Sequence, residues 1–194
     1  KHAAPLIKPG IPAHQWHLAE AGIKKAAQVA LLLEAHAPQA LASSREPKAN
    51  ETATVIGGHL GLPVEIIPGL HEHERSRSPW STQAAFEAAV QACLNRPGEL
   101  VYGDETADQA YTRFATAVDH FLARHAGQTV AVVAHGTVIS LFVSRRCGLE
   151  PFSLWRRLGL PALVTLSRPD LALIQVVAVS YTHLRAHETP EHLV

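Results

Sequence analysis

A histidine that follows a buried strand is the first residue in this sequence whose position suggests chemistry. Residues 130–134 are small or β-branched apolar residues, which is typical of a strand buried on both faces. The strand runs into His135, Gly136 and Thr137, and the next apolar run, residues 138–143, is helical in character. Ligands of open α/β sheets bind at the carboxyl ends of strands, and the free N–H groups at a helix start favour an anion. His135 is therefore a candidate for anion chemistry, with simple capping of the strand or helix as the alternative.

Three further stretches place reactive side chains at the ends of predicted elements. The chain opens with Lys-His-Ala at residues 1–3, and residues 43–52 read Ser-Ser-Arg-Glu-Pro-Lys-Ala-Asn-Glu-Thr. Leu-His-Glu at residues 70–72 opens a charged loop. Lys48 would lie in the first turn of a helix, where a cation opposes the helix dipole. Its placement is favourable if an anion binds there, and a solvated lysine is the alternative.

The elements that must position these residues alternate between strands and helices. Apolar spacing predicts helices at about residues 19–35, 49–60, 82–94 and 107–125, and strands at 40–43, 64–67 and 130–134. Residues 164–167 and 171–177, separated by Pro169-Asp170, are predicted to form a hairpin at the edge of the sheet. This order predicts an α/β fold with three αβα layers and a mostly parallel central sheet.

Taken in order, the four stretches resemble the histidine phosphatase superfamily, also called phosphoglycerate-mutase-like. Members of that family carry Arg-His-Gly after their first strand, then Ser-Ser-x-x-x-Arg-Ala-x-Glu-Thr, then Leu-x-Glu, and finally a late strand that ends in His-Gly. The resemblance covers about residues 1–177. It implies a small phosphatase that acts on a small phosphomonoester and needs no cofactor.

The resemblance also implies a role for each matching residue. His2 corresponds to the nucleophile that becomes a phosphohistidine, and His135 corresponds to the second catalytic histidine. Glu72 corresponds to the acid that protonates the leaving oxygen. These roles agree with general chemistry, because a histidine nucleophile must be neutral at one ring nitrogen and a carboxylic acid needs burial or nearby anions to hold its proton. We expect the three side chains to converge with Lys48 in one pocket at the carboxyl ends of the strands.

The phosphate-binding positions depart from the family pattern. Lys1 and Lys48 align with the two arginines that clamp the phosphate, Ala3 replaces a glycine, and Gly136 completes the set. Lysine offers a point charge with three rotatable donors, whereas arginine binds two oxygens with a planar fork. Because both positions carry lysine where the family pattern has arginine, the sequence favours a pocket that is a consistent variant of the family's pocket over one that has decayed.

The charged loop after Glu72 offers further candidates. Arg75 and Arg77 could bind a second anionic group of the substrate, with solvated loop arginines as the alternative. His71 and His73 flank Glu72 and suggest a metal pair, but the sequence offers no convincing third ligand. No metal is therefore predicted.

Composition limits the partners. The 194 residues carry 17 basic and 17 acidic side chains, so no charge excess favours a nucleic acid or a membrane surface. No apolar run approaches the roughly 18 residues of a membrane span. Cys93 and Cys147 fall within helical patterns and are expected to be reduced thiols of a cytoplasmic protein. A small phosphorylated substrate is the expected partner, and the sequence indicates no oligomeric state.

Both ends of the chain have features unlike a natural terminus. The sequence contains no Met and begins without an element before Lys1, so we expect that the first strand of the fold is missing and that a signal peptide stays possible. Residues 179–189 resemble one reading frame of a sequencing-library adapter. The prediction is one domain over residues 1–178 and a non-native tail over residues 179–194.

Two other functions stay open within the same fold. One is a non-catalytic module that binds phosphorylated ligands, and the other is a phosphoryl transferase of the phosphoglycerate mutase type. The segment between Glu72 and His135 is compact and lacks the long insertion expected of a glycolytic mutase, which favours hydrolysis. A zinc protein built on the many histidines is a third alternative.

Overall fold

The computed structural model describes residues 1–76 and 82–179 of the chain. The observed elements agree with the predicted ones to within about three residues. After a short 3-10 turn at Ala13–Gln15, the helices are α1 (Glu20–Glu34), α2 (Pro47–Leu60), α3 (Gln83–Asn95), α4 (Ala107–Arg124), α5 (Gly136–Cys147) and α6 (Pro151–Arg157). The strands are β1 (Ala40–Ser43), β2 (Val64–Ile66), β3 (Val130–Val133), β4 (Ala162–Leu166) and β5 (Leu173–Ala178).

A three-stranded parallel sheet forms the centre of the fold, in the order β2-β1-β3. Ser43 at the end of β1 pairs with Ile66 of β2 and with Val133 of β3, so the three strands end at the same level. Hydrogen bonds then continue past the strands, from Ser44 N–H to the Val133 carbonyl (3.0 Å) and from Ile67 N–H to the Ser43 carbonyl (3.0 Å). The segments that follow the three strands therefore leave from one edge of the sheet.

Helices cover both faces of this sheet, as the three-layer prediction requires. Leu41 and Ala42 are neighbours in β1 and point to opposite faces, as successive strand residues must. Leu41 belongs to the apolar cluster with α1 and α2, whereas Ala42 packs with helices α3, α4 and α5. Residues 136–144 of α5 are all buried, which explains the small and apolar side chains of this helix.

The hairpin of β4 and β5 forms as predicted, but its predicted position at the edge of the central sheet is wrong. The two strands pair only with each other, as a separate antiparallel sheet. The first two residues of the chain lie between the two sheets. His2 N–H donates to the Ala134 carbonyl just after β3 (2.9 Å), and the Lys1 amino group donates to the Ala162 carbonyl at the start of β4 (2.7 Å).

The packed domain extends one residue beyond its predicted end. Val179 is buried among α1, α2 and β3, and its N–H donates to the Pro161 carbonyl (3.0 Å). The rest of the predicted tail, residues 180–194, lies outside the described residues. None of the helices in the described parts of the chain is long and apolar enough to span a membrane.

The N-terminal segment packs closely on α1, and two glycines test this packing. A Cβ on Gly22 of α1 would lie 2.2 Å from the Ala4 carbonyl oxygen, whereas a Cβ on Gly58 of α2 would meet nothing within 4 Å. Replacing a helical glycine by alanine gains about 0.5–1 kcal/mol of helix propensity. We expect this gain for Gly58→Ala. For Gly22→Ala we expect a net loss of about 1–3 kcal/mol, because the backbone must move. Urea unfolding measures both changes, and a Gly22→Ala protein as stable as Gly58→Ala would contradict the packing.

Candidate active site

The structure brings His2 and His135 into contact at the carboxyl edge of the central sheet. Their ring centroids are 5.0 Å apart and their planes are inclined by 61°. Both side chains are buried, with exposed fractions of 6% for His2 and 0% for His135. The two histidines are 133 positions apart in the sequence, and they meet because residues 1–2 lie beside the end of β3.

Backbone contacts fix the ring of His2 and its tautomer. The ring Nδ1 lies 2.7 Å from the Ala3 carbonyl oxygen. Because a carbonyl only accepts hydrogen bonds, Nδ1 carries the proton and Nε2 keeps its lone pair. Burial, together with the nearby charge of Lys48, holds the pKa of His2 well below its ordinary value. His2 is therefore a neutral imidazole with a free Nε2, the form that a nucleophile requires.

His135 stands at the N-cap of α5, where it is held by the segment that follows β1. Its Nε2 is 2.8 Å from Ser44 Oγ, and this hydroxyl also accepts the N–H of Glu46 (3.2 Å). Its Nδ1 is buried and has no hydrogen-bond partner. Burial, and then the proximity of His2 and Lys48, keep the pKa of His135 well below its ordinary value.

The Glu72 carboxylate lies at the start of α5, where free N–H groups point out of the helix. It accepts the N–H groups of His73 (2.9 Å), Thr137 (3.3 Å) and Val138 (3.3 Å). Burial raises the pKa of Glu72, but the charge of Arg75 and these N–H donors outweigh it, so the pKa lies below its ordinary value. Glu72 is thus a partly buried carboxylate that Arg75 and these donors keep ionised.

Arg113 of α4 holds the loop that carries Glu72. Its guanidinium donates to the carbonyl oxygens of Gly69 (2.7 Å), His71 (3.0 Å) and Glu72 (3.2 Å). The same group forms an ion pair with Glu105, with 2.5 Å between Nη2 and Oε1. The sequence around Arg113 allows a structural role but does not show which loop it holds. The side chain comes from a helix more than 40 positions away, so spacing alone could not reveal it.

Lys48 lines the pocket, where it is paired with a carboxylate. Its Nζ lies 2.5 Å from Glu46 Oε2 and 2.6 Å from the Ala13 carbonyl oxygen. Glu46 Oε1 accepts the N–H of Glu72 (2.8 Å) and lies 3.7 Å from His135 Nε2. The residue types and spacing did not single out Glu46. The available signal was a glutamate two residues before Lys48, the lysine that the family resemblance aligns with an arginine.

Lys1 lies at the start of α5, and the absence of a side chain at Gly136 makes room for it. A Cβ on Gly136 would be 3.4 Å from Lys1 Nζ and 3.5 Å from Trp155 Nε1. The Lys1 ammonium donates to the Leu158 carbonyl (2.8 Å), which leaves two of its three donors for a ligand. Burial lowers the pKa of Lys1 to about 8, against the opposing effect of Glu72.

A cavity of about 430 Å³ opens beside these residues, and its lining includes Lys48, Glu72 and Arg75. The buried rings of His2 and His135 do not line it themselves; Glu46, which does line it, lies within 3.7 Å of His135. Its outer part is lined by further basic side chains: Arg45, His14 and His71. Arg77, the other arginine predicted for substrate binding, lies outside the described residues.

The two histidines proposed as an alternative metal pair are engaged separately. His71 Nε2 is 3.1 Å from Glu74 Oε1, whereas the buried His73 bonds to the Glu105 carbonyl (2.8 Å) and lies 3.7 Å from Cys93 Sγ. Across residues 1–76 and 82–179, no group of three or more His, Cys, Asp or Glu side chains is arranged to hold a metal ion.

The chain belongs to the histidine phosphatase superfamily (branch 1), whose family model matches residues 12–180. No curated protein shows significant sequence similarity to it. Solved structures share its fold. They include Bacillus stearothermophilus YhfR, at 20% identity over 93% of this chain and 95% of that one, with a TM-score of 0.68. The phosphoserine phosphatase of Entamoeba histolytica, in complex with 3-phosphoglyceric acid, matches at 16% identity over 92% and 94% of the chains, with a TM-score of 0.71. A mycobacterial glucosyl-3-phosphoglycerate phosphatase matches at 21% identity over 80% of each chain, with a TM-score of 0.65.

The lowered pKa of Lys1 predicts how phosphate binding depends on pH. Below pH 8 the free protein carries the Lys1 ammonium, and this charge is lost as the pH rises through about 8. Arginine stays charged throughout this range. We divide the dissociation constant of inorganic phosphate for wild type by that for Lys1→Arg. We expect this ratio to rise about tenfold between about pH 7 and pH 9.5. Calorimetric titration at several pH values measures it. The ratio cancels the ionisation of phosphate itself, and a flat ratio would show that Lys1 does not contact the anion.

Proposed function

We propose that this protein is a phosphatase that hydrolyses a small phosphomonoester through a phosphohistidine formed on His2. The observation that carries this proposal is the hydrogen bond from His2 Nδ1 to the Ala3 carbonyl (2.7 Å), which leaves Nε2 as a neutral nucleophile. A second buried histidine and two lysines surround the same ring. Together they supply the positive charge and donors that a phosphoryl group in transfer requires.

Hydrolysis then proceeds in two displacements. In the first, His2 Nε2 forms a bond to phosphorus while the bond to the leaving oxygen breaks, and Glu72 gives that oxygen a proton. In the second, a water oxygen forms a bond to phosphorus while the bond from His2 Nε2 to phosphorus breaks, one proton of the water passes to Glu72, and phosphate leaves. In this proposal Lys1, Lys48 and His135 bind the equatorial oxygens, with His135 donating from Nδ1–H while the Ser44 hydroxyl donates to its Nε2.

The acid role of Glu72 requires a change in its pKa on substrate binding. In the ligand-free pocket the charge of Arg75 and the donors of the α5 terminus keep the carboxyl ionised. A phosphate dianion in the same pocket raises the pKa of a neighbouring carboxyl, because two like charges in contact are unfavourable. The substrate therefore supplies the condition under which Glu72 takes up the proton that it later donates.

A second candidate function is supported by one specific observation. The Glu46 carboxylate neutralises Lys48 at 2.5 Å, which weakens the cationic clamp on a transferring phosphoryl group. A non-catalytic module that binds phosphorylated ligands would tolerate this loss better than an enzyme. Turnover of a generic aryl phosphate in the presence of a chelator distinguishes the two functions, and release of inorganic phosphate distinguishes hydrolysis from phosphoryl transfer.

The proposal extends to the location of the protein, its partners and its substrate class. The proposal includes a cytoplasmic location, supported by the free thiols of Cys93 and Cys147. The proposal includes no cofactor. It also includes no nucleic-acid or membrane partner, since 17 basic residues balance 17 acidic ones. The solved relatives named as phosphatases of phosphoserine and glucosyl-3-phosphoglycerate support a small phosphorylated molecule as the substrate.

The phosphohistidine intermediate gives the first test of the reaction. We expect brief exposure to a labelled phosphomonoester, followed by an alkaline quench, to trap the label on His2, because phosphohistidine is labile to acid. His2→Ala should abolish both label and turnover and leave inorganic phosphate binding largely intact. Mass spectrometry of the quenched protein locates the label. His59→Ala, at an exposed histidine of α2, is the control that keeps both. Full activity of His2→Ala would rule out this mechanism.

The role of Glu72 gives a test based on leaving groups. Glu72→Gln removes the proton donor, so turnover of an alkyl phosphate should fall by roughly 10²–10⁴-fold, the usual contribution of a general acid. Formation of the phosphohistidine from an aryl phosphate should fall much less, because an aryl oxide leaves without protonation. Rapid-quench measurement of the first step with both substrates gives the comparison. Equal losses would argue against Glu72 as the acid.

A further inference from the structure

Three buried polar side-chain atoms in the described part of the chain have no hydrogen-bond partner, and all three belong to this site. They are Arg75 Nη1, His135 Nδ1 and Thr137 Oγ1. Thr137 donates its N–H to Glu72, and His135 precedes the helix on which Thr137 lies. Buried polar atoms are normally paired, so a cluster of unpaired ones in a pocket indicates a polar ligand.

Arg75 differs from the two other atoms of this cluster because it brings a full charge. Its guanidinium lies over the ring of Phe86, with 5.0 Å between Cζ and the ring centroid. The Phe86 ring is in turn packed edge-on against Trp155 (5.8 Å) and Tyr102 (6.3 Å). Aromatic stacking thus holds the guanidinium in place, and among the described residues Arg75 forms no ion pair with a carboxylate.

The two lysines of the clamp cannot provide the geometry that a guanidinium provides. Lys48 uses two of its donors on Glu46 and the Ala13 carbonyl, and Lys1 uses one on the Leu158 carbonyl. A planar fork binds two phosphate oxygens at once, whereas an ammonium acts as a point charge. Arg75 lines the same cavity as Lys48 and Glu72, so this residue borders the space that the phosphate would occupy.

The charge of Arg75 affects the pKa values of two residues of the proposed reaction, which agrees with a position close to them. This charge is the main favourable contribution that lowers the pKa of Glu72, and it also lowers the pKa of His135. These two residues flank the start of α5, where the transferring phosphoryl group would lie.

We propose that Arg75 binds the transferring phosphoryl group itself and supplies the guanidinium fork that Lys1 and Lys48 lack. Phe86 is then a positioning residue, because it holds the guanidinium over its ring. The inference rests on the proposed phosphate site, and it differs from the expectation that Arg75 binds a second anionic group of the substrate.

Two probes without a second acidic group test this inference: inorganic phosphate and an aryl phosphate. For Arg75→Ala we expect a loss of about 10- to 100-fold in phosphate affinity and in kcat/KM for the aryl phosphate, the usual size for a hydrogen bond to a charged group. Arg75→Lys should recover only part of the loss, because it restores the charge without the fork. Phe86→Leu should cause a smaller loss in both values. The double variant of Phe86→Leu and Arg75→Ala should lose little more than Arg75→Ala alone, because Phe86 acts through Arg75.

Arg96→Ala is the matched control, since it removes an exposed arginine that pairs with Glu99 and does not line the cavity. It should leave both values unchanged. The inference is overturned if Arg75→Ala binds inorganic phosphate like wild type and loses activity only with a substrate that carries a carboxylate. Full recovery of phosphate affinity and kcat/KM in Arg75→Lys would show that the planar guanidinium fork is not required. If wild type itself neither binds phosphate nor hydrolyses the aryl phosphate, the proposed function fails, and this outcome is distinct from the others.

Discussion

The Glu46 carboxylate holds together the three segments that form the active site. One oxygen pairs with Lys48 on α2, and the other accepts the N–H of Glu72 and lies 3.7 Å from His135 Nε2. Removing a charge from water costs several kcal/mol, and the cost is recovered only where good geometry and further hydrogen bonds satisfy the group. Because Glu46 and Lys48 are both nearly inaccessible, their pairing constrains where the segments after β1 and β2 can lie. The positions of Ser44 and of the histidine it holds depend on this pair.

This constraint also shows how the pocket holds the two lysines of the proposed phosphate clamp, Lys1 and Lys48. Each ammonium is bound to the protein before a ligand arrives, Lys48 by Glu46 and Ala13 and Lys1 by Leu158. The carbonyl and carboxylate acceptors orient the lysines, which are otherwise flexible, and so reduce the entropy lost when an anion binds. These acceptors thus give the two lysine ammoniums part of the rigidity that a planar arginine guanidinium has by itself. The same acceptors reduce the net positive charge that reaches the ligand.

Much of the fold and part of the site could be predicted from the sequence, because those features depend on local patterns. Periodic apolar residues identified the strands and helices, and His135 was found from its place after a buried strand. Arg113 and Glu46 were missed, because their roles arise from contacts between elements and no spacing records such contacts. The position of the hairpin was also missed, since residues 1–2 separate it from the central sheet. Arg75 was identified as a candidate ligand for a substrate, but its stacking on Phe86 becomes visible only when α3 and the charged loop are placed together.

The placement of Glu72 at the start of α5 has a consequence for product release. In the ligand-free protein the carboxylate already accepts the N–H groups of Thr137 and Val138. An anion that enters must share the positive end of the helix with a negative group, so it binds less tightly than it would at an unoccupied terminus. In the proposed reaction Glu72 holds a proton when phosphate forms; once this proton is lost, the carboxylate competes with inorganic phosphate for the same donors. The chain therefore contains its own competitor for the product, which shortens the time that phosphate stays bound and limits inhibition by it.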